Sequence, residues 1–238
     1  MSSLAARMYG VIRRPRATFA AILQSPSWAA VLVVTTTATF LCTLGFLNTD
    51  VGRQALVDQW ERTATAFGQT VDDASYARME ERAESGDVAV LYAAGTAIAY
   101  GPLIVFAVSA VVFVVLRSGS RASPARPQYT QLLAVVAYAG VILALRQVVA
   151  APINYVRETI ASPTTLVQFF GMLDEASPIA RFLGVIDLFV VWWIVVLAMG
   201  VSILYRRPTR GLALAFTGAY VVLALLAALV MAVSGGTA

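Results

Sequence analysis

The sequence predicts an all-α integral membrane protein built as a bundle of five transmembrane helices. Three observations lead to this prediction: the composition, the long uncharged runs along the chain, and the alternating charge of the segments that connect those runs. The 238 residues are 59% hydrophobic and only 13% charged, whereas soluble domains contain about 25% charged residues. No segment of the chain is left over to form a large soluble domain.

Five apolar runs approach or exceed the roughly 20 residues that a helix needs to cross about 30 Å of hydrocarbon. The transmembrane helices are predicted at residues 28–47, 88–116, 131–151, 182–205 and 212–233. The second run is longer than necessary and contains Gly101 and Pro102, which predict a kink because proline has no amide hydrogen to donate. Residues 1–238 are predicted to form a single membrane domain.

The connecting segments orient the predicted bundle. The N-terminal segment and the second and fourth connections hold ten arginines and no acid, whereas residues 48–87 and 152–181 hold six arginines and twelve acids. Arginine-rich short loops stay on the cytoplasmic side of a membrane. We therefore expect the N-terminus in the cytoplasm and the C-terminus outside.

Residues 1–27 are predicted to form an interfacial helical segment on the cytoplasmic face. Apolar residues recur there at helical spacing on both sides of Pro15, and arginines are available for anionic headgroups. The alternative is a basic flank with no further role. The apolar positions are Leu4, Met8, Val11, Ile12, Phe19, Ile22 and Leu23.

Residues 48–87 are predicted to form an outer helical hairpin that covers the mouth of the bundle or meets a partner. The first helix has an apolar stripe, and the second is predicted to begin at an N-cap, Asp73, and to end near Gly86. The stripe comprises Leu56, Trp60, Ala64 and Phe67.

The residue inventory excludes several kinds of chemistry. The chain contains no histidine and a single cysteine, Cys42, so it lacks the commonest general base, an intramolecular disulfide and a thiolate metal cluster. We predict no catalytic residue, no cofactor, no metal site and no nucleic-acid partner. The chain is expected not to be an enzyme.

Two charges lie inside predicted spans. Arg146 is five residues before the end of the third span and Asp187 is five residues after the start of the fourth, so both lie at the same depth. An isolated charge near the bilayer centre costs about 2.5–3.5 kcal/mol on insertion scales. We therefore predict an intramembrane ion pair. The alternatives are that Arg146 snorkels to phosphate while Asp187 caps its helix from a water-filled vestibule, or that Asp187 serves transport.

The chain resembles prokaryotic members of the YIP family, the Ypt/Rab-interacting membrane proteins, over essentially its whole length. The similarity is carried by "RRPRATFAAI" before the first span, "QYTQLLAVVAYAGVILAL" in the third and "IDLFVVWWIVVLAMGVSILYRRPTR" through the fourth. The fourth-span pattern is the most specific part. The family-like positions are Pro15, Phe19, Asp187, Phe189, Trp192 and Gly200.

The resemblance implies a scaffold or accessory protein without a catalytic residue. Eukaryotic relatives bind prenylated Rab GTPases through a cytosolic N-terminal region, and the short region of this chain, residues 1–27, argues against GTPase binding. The expected partners are membrane lipids and either other membrane proteins or a second copy of the chain, within a transport or envelope complex. The rival prediction is a channel or transporter subunit with a path between the third and fourth helices, near Arg146, Asn154 and Asp187. A membrane-embedded enzyme ranks third.

Overall fold

A computed structural model describes residues 3–66, 68–118, 128–170 and 177–234. Those residues are almost entirely helical, and the prediction of an all-α chain with five helices long and apolar enough to cross a membrane is confirmed. The helices are α1 (Leu4–Arg13), α2 (Pro15–Gln24), α3 (Ala29–Leu47), α4 (Asp50–Ala66), α5 (Asp73–Glu84), α6 (Gly86–Ile98), α7 (Ile104–Ser118), α8 (Tyr129–Ala139), α9 (Val141–Val156), α10 (Pro178–Val185), α11 (Leu188–Tyr205) and α12 (Thr209–Ser234).

The candidate spans are single helices or pairs of helices that continue one another. The second span joins α6 to α7 through a π-helical segment, Ala99–Leu103, in which Gly101 has non-helical dihedral angles. This is the predicted kink: Pro102 cannot donate to the preceding turn, so the helical hydrogen bonds shift by one residue. The remaining candidates are Ala29–Leu47, Tyr129–Val156, Leu188–Tyr205 and Thr209–Leu226.

The fourth span begins six residues later than the sequence predicts. Residue 182, its predicted first residue, lies in the separate short helix α10, and the spanning helix α11 starts at Leu188. The chain between them is extended at Ile186 and pairs with another segment at Asp187. An apolar run continues across the break, and hydropathy alone therefore cannot locate it.

The chain divides into two compact units, which are described separately. Unit 1 comprises Met1–Thr39, Ala97–Leu145 and Phe189–Gly218; unit 2 comprises Phe40–Thr96, Arg146–Leu188 and Ala219–Ala238. In unit 1 the centre is α8, in which eight consecutive residues, 132–139, are buried. Helices α1, α2 and α7 contact α8, and α1 and α2 add Val11, Phe19 and Ile22 to its apolar core.

In unit 2, helices α4 and α5 pack side by side. The Gln54 amide donates to the Tyr76 hydroxyl over 2.7 Å, and the Arg82 guanidinium lies 5.8 Å from the centre of the Trp60 ring. The cap of α5 is Asp72 rather than the expected Asp73, since Asp72 is the last extended residue and its carboxylate accepts from the next turn.

Several sequence predictions fall outside the described residues. The last position of the predicted stripe, Phe67, is among them, as are residues 119–127 and 171–176 of two predicted connections.

Candidate functional site

The break between α10 and α11 is stabilised by backbone pairing with the segment at residues 162–165. Leu166 donates its amide to the carbonyl of Ile186 over 2.8 Å, and Leu188 donates to the carbonyl of Thr164 over 3.0 Å. These two bonds form an antiparallel bridge between Thr165 and Asp187. A helix end within an apolar region needs such partners, because unpaired backbone groups there are costly.

The carboxylate of Asp187 accepts two hydroxyl hydrogen bonds. Ser162 and Thr164 each donate to Oδ2 over 2.8 Å. The Asp187 side chain is only 5% exposed. Both donors come from the strand-like segment that pairs with the helix break, so backbone pairing and carboxylate recognition occur at the same place.

The structure brings the predicted ion pair together. Nε of Arg146, on α9, lies 2.9 Å from Oδ2 of Asp187, and the Arg146 side chain is 14% exposed. The contact is a charge pair by distance rather than a well-aligned hydrogen bond. A cation and two hydroxyl donors thus converge on one carboxylate oxygen.

Tyr220, on α12, attaches a further helix to the same break. The backbone amide of Asp187 donates to the Tyr220 hydroxyl over 3.1 Å, and that hydroxyl donates to the carbonyl of Val185 over 2.7 Å. We call Arg146, Ser162, Thr164, Asp187 and Tyr220 the Asp187 cluster. It connects α9, the 162–165 segment, the start of α11 and α12.

Sequence reasoning found two members of this cluster and missed three. Ser162 and Thr164 belong to "SPTT", a short polar stretch that predicts a loop and nothing more. Tyr220 lies inside an apolar run. A tyrosine hydroxyl inside a span needs a partner, and this was the available signal for Tyr220. The hydroxyl donors carried no comparable signal, since their role depends on a chain break that the sequence does not reveal.

Asn154, the third residue of the rival transport prediction, is buried on α9. Among the described residues, its side-chain oxygen has no hydrogen bond to the Asp187 cluster. Within the residues that the structure describes, no group of three or more histidine, cysteine or acidic side chains could hold a metal ion.

The remaining family-like residues have packing positions in unit 1. Pro15 is the first residue of α2, and Phe19 is fully buried. A Cβ atom added to Gly200 would lie 2.5 Å from Cγ1 of Val135 and 3.3 Å from the Phe19 ring, so a larger residue would not fit there. Phe189 and Trp192 have their ring centres 5.8 Å apart on α11.

Five long apolar helices and a buried charge cluster within the apolar part of the chain define a multi-pass helical membrane protein. The Yip1 domain family matches residues 9–232. The chain therefore belongs to the Yip1 family, as its resemblance predicts. No curated protein and no solved structure matches the chain.

Proposed function

We propose that this chain is a non-enzymatic scaffold or accessory protein of the prokaryotic cell membrane, which binds lipids and other membrane proteins through its helix faces. The observation that carries the proposal is the uneven burial of the spans. The most apolar windows of the second and fifth spans are 22% and 11% buried, against 72% for the third. Spans whose apolar windows are mostly uncovered offer wide apolar surfaces.

The uncovered faces are chemically suited to lipid chains and to other transmembrane helices. Leu103 and Val111 on the second span are 61% and 62% exposed, and Leu214 and Leu226 on the fifth are 74% and 53% exposed. Helix association in a bilayer depends on van der Waals packing between such faces. Partners of this class are other membrane proteins or a second copy of the chain.

The polar interior supports a scaffold more than a channel. Asp187 has the most strongly buried carboxylate among the described residues, and it already contacts Ser162, Thr164 and Arg146. A carboxylate used for conduction must exchange its ligands with a passing solute, and this one is engaged by fixed side chains. The charge pattern of the connecting segments further supports an N-terminus in the cytoplasm and a C-terminus outside.

Photo-crosslinking in living cells tests the proposal. A diazirine amino acid is placed at Val111 or Leu214, which are exposed, and in matched controls at Val112 or Leu212, which are 7% and 6% exposed on the same helices. We expect a discrete adduct with one membrane protein, or a dimer of the chain, from the exposed positions only. Adducts with lipid alone at both exposed positions would contradict the scaffold proposal.

Reconstituted liposomes test the rival function. A scaffold does not accelerate solute flux, and Asp187→Asn is expected to leave the background leak unchanged. Flux that requires the wild-type chain and disappears in Asp187→Asn would establish the channel instead.

A further inference from the structure

The two N-terminal helices enclose an open cavity of about 630 Å³ lined by three arginines. Arg7 and Arg13 lie on α1, and Arg14 joins α1 to α2. The rest of the lining consists of Tyr9, Thr18 and four small residues, which are Ala6, Gly10, Ala17 and Ala21. A cavity of this size lies within the range of small-molecule sites, and its cationic groups suit an anion.

The helical hairpin that forms this cavity is closely packed. A Cβ atom added to Gly10 would lie 2.5 Å from Oγ1 of Thr18, so glycine lets α1 and α2 approach each other. The opposite side of the hairpin contributes Val11 and Phe19 to the core of unit 1.

Neutral groups hold two of the arginines in position. Arg13 donates to the Tyr9 hydroxyl over 2.7 Å, and its guanidinium lies 5.6 Å from the centre of the Tyr9 ring. Arg7 donates to the hydroxyl of Ser25 over 3.1 Å. The Tyr9 contact fixes the geometry of Arg13 without neutralising its charge, which leaves that guanidinium able to bind an anion.

The counter-charge must come from outside unit 1. Its sequence segments contain ten arginines and no aspartate or glutamate. The first turn of α2 adds to the positive potential, since it begins at Pro15 and no side chain caps it. Uncapped amide hydrogens at a helix start favour an anion at the same place.

The cavity lies beside the ends of membrane-spanning helices. Arg16 of α2 donates to Oγ1 of Thr209, the first residue of α12. Within unit 1, the buried cluster that contains the hairpin also contains Leu116, near the end of α7, and Tyr205, the last residue of α11. Ends of spans lie at the depth of the lipid headgroups.

We infer that this cavity binds the phosphate group of an anionic phospholipid from the cytoplasmic leaflet, with Arg7, Arg13 and Arg14 as its ligands. The inference rests on the membrane orientation within the proposed function and names the lipid class that the proposal leaves open. Guanidinium groups match phosphate oxygens in charge and planar geometry. The cavity is open on one side, which allows acyl chains to extend away from it into the bilayer.

A lipid titration of the full-length protein in an uncharged detergent tests the inference. Phosphatidylglycerol is added, and phosphatidylcholine serves as the zwitterionic comparison, while the melting temperature is followed to obtain an apparent dissociation constant. Arg13→Gln with Arg14→Gln is expected to weaken phosphatidylglycerol binding about tenfold for each arginine removed. The matched control, Arg117→Gln with Arg210→Gln, removes the same charge from exposed positions outside the cavity and is expected to bind as wild type.

Two further measurements complete the test. The first distinguishes binding in the cavity from attraction by net charge, and the second distinguishes a lipid ligand from free phosphate. Ala17→Phe places a bulky ring in the cavity while every arginine remains, and it is expected to abolish the preference for phosphatidylglycerol. Inorganic phosphate at the same concentration is expected to give no stabilisation. Equal losses in the cavity and control variants, unchanged binding by Ala17→Phe, or equal stabilisation by inorganic phosphate would each overturn the inference.

The scaffold proposal is tested independently of the phosphate site. Adducts from Val111 and Leu214 depend on span faces outside the cavity, so they are expected to persist in Arg13→Gln with Arg14→Gln. Their persistence without a lipid preference would reject the phosphate site alone.

Discussion

Replacement of Asp187 by asparagine isolates the charge of the Asp187 cluster from its shape. Asparagine keeps a side-chain oxygen that accepts from Ser162 and Thr164, which donate to Asp187 over 2.8 Å. What it removes is the negative charge 2.9 Å from Nε of Arg146. The change in the free energy of unfolding of this variant therefore measures how much the ion pair contributes to stability.

The expected loss is about 3 kcal/mol in the free energy of unfolding. Breaking a buried ion pair from one side costs about 3–5 kcal/mol, because the remaining charge stays desolvated. The lower end applies here because Arg146 retains 14% exposure. For a chain of this length, that loss corresponds to a fall of about 6–12 °C in the melting temperature.

The assay is reversible unfolding of the purified protein in mild detergent, followed by circular dichroism. Asp50→Asn is the matched control, since the Asp50 side chain is 96% exposed and its contact with Arg53 lies at the surface. We expect this control to change stability by less than about 0.5 kcal/mol. A loss in Asp187→Asn no larger than in the control would refute the reasoning.

A double-mutant cycle separates pairing from general burial. Arg146→Met combined with Asp187→Asn is expected to cost about 2 kcal/mol less than the sum of the single variants, because neither charge is then left unpaired. Strict additivity would show that the two charges do not stabilise each other. A reversed pair is not expected to restore stability, since an arginine at position 187 cannot accept from the two hydroxyl groups.

Three further predictions concern other contacts. Tyr220→Phe removes both hydrogen bonds of the hydroxyl and is expected to cost about 2 kcal/mol in the same unfolding assay; an unchanged stability would show that α12 is not held there. Gly52→Ala places a Cβ atom 2.0 Å from a backbone oxygen at the end of α3 and is expected to cost about 3 kcal/mol. Gly95→Ala, with no atom within 4 Å, is the control that should not destabilise. At Asp72, the hydrogen bonds from the first turn lower the pKa of the carboxyl, so its contribution to α5 is present above about pH 4 and is lost as the pH falls through the lower folded pKa. In the wild-type protein, hydrogen exchange in α5, measured relative to the intrinsic exchange rate, should rise at acidic pH. The Asp72→Asn variant keeps a capping oxygen that does not titrate, so its exchange should not rise. Identical pH profiles for the two proteins would contradict this prediction.

Composition and periodicity were sufficient to predict the five spans and the kink at Gly101, because a long apolar helix and a proline each leave a local signature. The Arg146 and Asp187 contact could also be predicted, since two opposite charges within apolar runs restrict each other's possible partners. The depth assigned to Asp187 was wrong, because the spanning helix starts at Leu188 and not at residue 182. These inferences need only the order of residues along one or two helices.

The rest of the cluster depends on tertiary pairing. The break before Leu188 lies within a sequence that is apolar apart from Asp187, and it is paired with Thr165, which is more than 20 residues away. Ser162 and Thr164 become carboxylate ligands only once that bridge has formed. The cap of α5 shows the limit on a smaller scale, since Asp72 and Asp73 are chemically identical candidates and only the backbone angles distinguish them.

The arrangement of the protein in its membrane is tested most directly by labelling single cysteines in intact cells. In a Cys42→Ser background, which removes the only native cysteine, exposed positions are replaced one at a time at Ala5, Ala74, Ile179 and Arg210. A maleimide that enters the periplasm but does not cross the cell membrane is expected to label positions 74 and 179 in intact cells, and positions 5 and 210 only after lysis. Labelling of positions 5 and 74 from the same side would contradict the five-span orientation on which the scaffold and the phosphate site both depend.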